Sequence, residues 1–464
     1  MSPASIFSWT AATFISIARC PERKIMNSSA PITERRYLVP FILVTSLFFL
    51  WAIGVNLNDI LIPHLKKAFS LTDTESSLIQ FAFFGGYFLA ALPAGWLMQR
   101  LGYKRGILIG LSICATGAFL FIPAASVRIY GFFLFALFVM ACGQCFLEVA
   151  ANPYVTILGA PESSERRLNF AQSFNSVGAV VTPFLGAAFI LSGIEHTPAE
   201  LAAMTPSQLL AYRAFEANMV KTPYLVITAI FLLVGVLIFF SNLPEVRESA
   251  EPQNVSAASR PRLSGIWMHR HLVRGVIAQF FYVGAQVGVA SFIIRFAERL
   301  LPGTHEKAAA HYLQAHLVGF MIGRFAGSVI MKKVPAARLL SLFAAASLVC
   351  LLVVLFGTGY ASVFAIALVG LFHSIMFPTI FALSLKDLGP YTKLGSSLLV
   401  MSIVGGALIP VAMGKLSDVT NIQVAFVVPL LCHAYILYFA MRGYRPTPAT
   451  DAGALLRIVQ SEAE

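Results

Sequence analysis

A helix needs roughly 20 consecutive apolar residues to cross the hydrocarbon core of a bilayer. This chain carries a succession of such runs, at about 38–63, 76–98, 104–124, 129–157, 170–192, 222–242, 273–297, 309–331, 338–357, 360–384, 396–416 and 424–441. In lipid each backbone N–H and C=O must find its partner inside the segment, so runs of this length read as helices. Only 12% of the 464 residues are charged, against about 25% in a soluble domain, and the charges cluster between the runs. Twelve runs in succession exclude a soluble protein with a few buried helices. The expected fold class is an all-α membrane protein with twelve transmembrane helices.

The polar segment 244–272, rich in Ser, Pro, Glu and Arg, has the composition of a flexible linker and divides the runs six and six. The expected organisation is a cytoplasmic N-terminal tail over 1–36, a six-helix half over 37–243, the linker 244–272, a second six-helix half over 273–442 and a cytoplasmic tail over 443–464. A second polar gap, 193–221, reads as short helices outside the membrane core. Residues 7–20, FSWTAATFISIARC, resemble a secretory apolar region but lack a basic flank and a small-residue cleavage site. Met26 opens MNSSAPITERRY, which reads as an alternative start.

The net charge of +12 does not point to nucleic acid, because the basic residues flank the apolar runs. Arg35, Arg36, Arg100, Lys104, Arg105, Arg166, Arg167, Lys332, Lys333, Arg338, Arg442 and Arg445 fall on one side of the alternating spans. Fewer lie on the other, and the asymmetry places both termini inside the cell. Cys114, Cys142, Cys145, Cys350 and Cys432 lie in apolar runs and read as small buried residues without metal-site partners.

The halves echo each other. Pro153 and Pro183 are 30 residues apart, and Pro378 and Pro410, in the corresponding spans of the second half, are 32 apart. Two related six-helix halves are a transporter layout. Between the second and third spans, GWLMQRLGYKR at 95–105 resembles the loop signature of the major facilitator superfamily, with Gln99 in place of the usual acidic residue. Arg100, Lys104 and Arg105 on that turn are candidate gating residues, as is Arg324 in span 8.

Ionisable and amide groups inside spans mark the candidate site, since such groups face a cavity or a partner. Asn56 and Asp59 are i,i+3 and share a helix face. Glu148 sits well inside span 4, and binding a proton would cancel its charge there. Gln172 and Asn175 are i,i+3 in span 5; Gln279, Tyr282 and Gln286 follow at helical spacing in span 7. Amides both donate and accept, which suits a neutral polyol or sugar. No nucleophile–base pair, nucleotide-binding GxxxxGK[ST] or metal cluster is present, so neither an enzyme nor an ATP-driven pump is expected, and no cofactor.

The blocks NLNDILIP (56–63), QCFLEVAANPYVTILG (144–159), LNFAQSFNSVGA (168–179), AQFFYVGAQ (278–286) and MIGRFAG (321–327) resemble the fucose:proton symporter family of the major facilitator superfamily, which includes glucose/galactose transporters. The resemblance covers about 36–442. It implies a bacterial inner-membrane importer that moves a sugar with a proton by alternating access. It assigns proton coupling to Asp59 and Glu148 and sugar contacts to Asn56, Glu148, Gln172 and Asn175. TPSQLLAYRAFEANMVKTPY at 205–224 favours L-fucose over glucose or galactose, while Val149 stands where the family's fucose-transporting member has a threonine. The expected partners are sugar, proton and lipid, and the expected working unit is a monomer. Sodium coupling through Asp59 stands as the alternative.

Overall fold

The computed structural model describes residues 31–69, 71, 73–190, 200, 203–244, 263–304 and 306–446. These are almost entirely helical. The elements in chain order are α1 (Leu38–Phe69), α2 (Asp73–Val127), α3 (Tyr130–Ile157), α4 (Ser164–Phe189), α5 (Pro206–Met219), α6 (Lys221–Phe240), α7 (Arg270–Leu300), α8 (Glu306–Ile330), α9 (Ala336–Phe356), α10 (Gly359–His373), α11 (Met376–Leu385), α12 (Thr392–Met401), α13 (Gly405–Val419) and α14 (Val427–Tyr438). Among the described residues ten helical stretches are long and apolar enough to cross a membrane.

One of them, Leu78–Val127, has 50 residues, well beyond one crossing. It bends back at Gly102, whose φ of 81° and ψ of 174° are not helical. A side chain at that φ would crowd the backbone, so the glycine makes the turn possible. The two limbs of α2 pack along α3, where a Cβ on Gly143 would strike the backbone nitrogen of Cys114. Close approach of small residues is how membrane helices gain contact without a hydrophobic driving force. In the gap before the sixth apolar run, α5 is a separate helix started by a capping box in which Thr205 and Gln208 exchange hydrogen bonds. The stretch 245–262 lies outside the described residues; Leu263–Met268 forms a 3₁₀ turn and α7 begins at Arg270.

The segments 31–244 and 263–446 meet along α2–α12, α3–α12, α4–α8 and α4–α11. The largest apolar core runs through both, joining Phe83, Phe84 and Phe146 to Phe381, Leu399 and Ile403. A second core, from Val289 to Phe426, belongs to the C-terminal segment alone.

The polar links between the segments gather toward one end of the bundle. Lys386 pairs with Glu165 at 3.6 Å. Asn169 Nδ2 donates to Thr379 Oγ1 at 3.1 Å, and Ser396 Oγ donates to the Val149 carbonyl at 2.9 Å. The Lys393 ammonium lies 5.2 Å over the Tyr103 ring. At this end Arg167 is buried within a cage of acceptors, including the carbonyls of Val155, Thr156 and Ile32. That cage ties the α3–α4 turn to the chain before α1. Burial draws the Arg166 guanidinium on the same turn below its ordinary range.

Candidate functional site

Four helices bring polar side chains to one depth. At 1.5 Å per residue, Glu148 stands ~14 Å from the Ile157 end of α3, and Gln172 ~12 Å from the Ser164 end of α4. Gln279 stands ~14 Å from the Arg270 end of α7, and Arg324 ~9 Å from the Ile330 end of α8. Glu148 and Gln172 are 5% and 2% exposed and Arg324 3%, so each must be satisfied by protein or ligand.

Glu148 has Tyr87 and Asn152 within side-chain reach and lies in the field of Arg324. Asn152 Oδ1 accepts from Gln172 Nε2 at 2.9 Å, while its own Nδ2 has no direct partner. The Arg324 guanidinium closes the chain of contacts. Its Nε donates to the Ser374 carbonyl at 2.9 Å. Its Nη1 donates to the Gln172 carbonyl at 2.6 Å and reaches Gln172 Oε1 and Asn175 Oδ1, each at 3.3 Å. Asn175 Nδ2 in turn donates to the Phe48 carbonyl of α1 at 3.3 Å. A line of contacts therefore runs from a buried carboxylate, through two amides, to a guanidinium on the other side of the interface.

The Ser374 carbonyl is free for a reason written in the sequence. Proline has no N–H, so Pro378 cannot donate to the carbonyl four residues before it, and that residue is Ser374. The helix breaks between α10 and α11, and Arg324 takes the carbonyl. The preceding carbonyl, of His373, accepts from the Tyr282 hydroxyl at 2.9 Å. Irregular backbone at membrane depth is stable only when its polar groups are met in this way.

The other expected residues are placed as follows. Asn56 donates to the Ala52 carbonyl of its own helix at 2.7 Å, ~27 Å along α1 from Leu38. Asp59 is carried by α1, and its side chain lies outside the described residues. Gln279 is fully buried with neither amide atom partnered; Gln286 is half-buried. Arg100 is exposed and stacks 3.8 Å over Trp96. Lys104 Nζ donates to the carbonyls of Phe239 and Ser241 at 2.9 and 2.7 Å, closing the end of α6. Arg105 is exposed. None of these three basic residues makes the cross-interface contacts described above; Tyr103 from the same loop does.

Sequence reasoning passed over Tyr87 and Gln144. Gln144 lies one turn from Glu148 on α3, fully buried and unpartnered at both amide atoms. Its period with Glu148 and Asn152 (four residues each) was the available signal. Among the described residues no group of three or more His, Cys, Asp or Glu could hold a metal ion.

The family model described as Major Facilitator Superfamily matches residues 44–397. The chain belongs to that superfamily. Within it, the L-fucose-proton symporter of Escherichia coli K12 is 44% identical over 423 residues, covering 90% of this chain and 95% of that protein. A glucose/galactose transporter of Brucella abortus is 43% identical over 412 residues, covering 89% and 95%. The solved structure of the superfamily transporter FucP in the outward conformation superposes with a TM-score of 0.81 at 44% identity, covering 89% of this chain and all of that one. The chain is thus a multi-pass membrane protein of the fucose:proton symporter family, a secondary active transporter and not an enzyme.

Proposed function

We propose that this transporter is a proton-coupled symporter that imports a neutral hexose-type sugar, L-fucose first among them, across a bacterial inner membrane. The observation that carries the reading is the buried Glu148 carboxylate joined through Asn152 and Gln172 to Arg324 across the interface. The layout that goes with this reading is twelve spans in two six-helix halves. The stretch Leu78–Val127 supplies two crossings separated at Gly102, and Ser164–Phe189 adds one more. Both termini face the cytoplasm, and one chain is the working unit.

A charged carboxylate in an apolar slab is costly, and a bound proton removes the charge. Glu148 is therefore neutral while access passes from one side to the other, and its proton is taken up and released with the sugar. Gln172, Asn175, the amides of Gln144 and Gln279, which have no partner, and the Nδ2 of Asn152 supply donors and acceptors for sugar hydroxyls. Asn56 and Asp59 serve the outer part of the path, with Asp59 as a second proton carrier; Tyr282 and Gln286 complete the wall from α7. On this reading the end that carries Glu165, Arg166, Arg167 and Lys386 faces the cytoplasm. For that end to open, Arg324 must leave Gln172 and Asn175, and Lys386 must leave Glu165. Arg100, Lys104 and Arg105 set the turn about which the halves move.

The test is sugar-induced alkalinisation of the medium in sodium-free buffer, with proteoliposomes or cells expressing the chain. L-Fucose should raise external pH, and a protonophore should abolish the signal. Uptake that needs sodium and moves no proton would overturn the coupling. The 43% identity to a glucose/galactose transporter keeps those hexoses as the second reading. Competition by L-fucose, L-galactose, D-arabinose, D-glucose and D-galactose separates the two; preference for D-glucose or D-galactose would remove L-fucose.

A further inference from the structure

Three histidines lie buried together in the C-terminal segment: His316 on α8, His373 at the end of α10 and His433 on α14. The Nε2 atoms of His373 and His433 are 2.9 Å apart, with ring planes within 9° and centroids 4.9 Å apart. That is a hydrogen bond between two imidazoles with near-parallel planes, and it needs one proton: two N–H groups or two lone pairs would repel. The outer nitrogens decide which ring donates. His433 Nδ1 lies 2.7 Å from the Pro429 carbonyl, which can only accept, so Nδ1 carries the hydrogen and Nε2 is the acceptor. His373 therefore donates from Nε2, and its Nδ1 is bare, in keeping with the lack of any partner for that atom. His316 sits edge-on to His373 at 5.9 Å, its own Nδ1 directed to the Ile366 carbonyl.

The anchored residue, His373, is the last of α10 before the break. Its carbonyl holds Tyr282, and the next carbonyl holds Arg324. Helical hydrogen bonds do not fix the backbone there, so a side-chain tether supplies the missing constraint. We propose that His433 is a positioning residue for the sugar site: through His373 it fixes the break between α10 and α11, and with it the place of Arg324 against Gln172 and Asn175. The inference rests on the reading of that site as a sugar site.

The experiment compares two amides at position 433. In His433→Gln the amide reaches the place of Nε2 and still accepts from His373. In His433→Asn the amide ends at the place of Nδ1, keeping the Pro429 contact and losing His373. L-Fucose counterflow in proteoliposomes gives KM and Vmax. Wild-type counterflow comes first; its absence would overturn the substrate reading and leave His433 to be assayed with the sugar that does exchange. With it present, His433→Asn should raise KM about 10-fold with Vmax within about twofold, while His433→Gln stays within about threefold of wild type in both. His373→Asn, which shortens the tether from the other side, should reproduce the KM rise, and it carries the test if His433→Asn does not fold. Asn and Gln variants with the same KM, or a loss confined to Vmax, would overturn the proposal.

Discussion

Pro153 in α3 and Pro378 in α11 both stand in helices at the interface between the two segments, and the structure treats them differently. Each removes an N–H and frees the carbonyl four residues earlier, that of Val149 and that of Ser374. Around Pro153 the helix continues unbroken from Tyr130 to Ile157, and the freed carbonyl is met by Ser396 from across the interface. Around Pro378 the helix breaks, and the freed carbonyl is met by Arg324 of the same segment, which then reaches across to Gln172 and Asn175. A neutral hydroxyl can cap a carbonyl and do little else. A guanidinium caps one carbonyl and has donors left over, so the second proline couples a helix break to the site while the first makes only a seam.

That contrast is open to direct attack, beginning with its strongest member. Arg324→Leu strips the Ser374 carbonyl and the two amides together; hydrogen bonds to a charged group are worth about 1.5–3 kcal/mol each, so L-fucose uptake should fall by about 100-fold or more. Arg324→Lys should recover little, because a point charge cannot serve both sides. Near-native initial rates in the lysine variant would show that charge alone is needed.

Pro378→Ala comes next. It offers Ser374 a backbone N–H in competition with Arg324. Pro378 stands in the first turn of α11, where a proline costs a helix little, so the melting temperature in detergent should stay close to wild type while uptake falls about 10-fold. A fully active variant would separate the break from the site. Ser396→Ala leaves the Val149 carbonyl bare at a cost of about 1–2 kcal/mol, read as a small drop in melting temperature with uptake within about fivefold of wild type. Pro153→Ala should do least. It gives Val149 its own N–H, and added to Ser396→Ala it should restore the lost stability. Additive losses in the double variant would deny that the two residues serve one carbonyl.

Much of this was legible beforehand. The apolar runs announced the helices, and Glu148, Gln172, Asn175 and Arg324 stood out because polar groups in such runs are rare. The break at Ser374 was not legible, because LFHSIMFPTI is as apolar as its neighbours and its proline reads equally well as a bend in a continuous helix. Pro153 shows that the same residue type leaves a helix whole. What differs is the available donor, and that donor lies 50 residues away on α8. The histidine pair was hidden likewise: His373 and His433 are 60 residues apart, and only packing brings their Nε2 atoms together.

The central claim is that Glu148 carries the proton while the amides around it hold the sugar. Glu148→Gln tests it most directly, since the amide keeps the shape of the protonated acid and cannot release a proton. In proteoliposomes the variant should lose concentrative L-fucose uptake driven by a pH gradient and keep L-fucose counterflow within about threefold of wild type. Loss of counterflow in a folded variant, or concentrative uptake left intact, would contradict it.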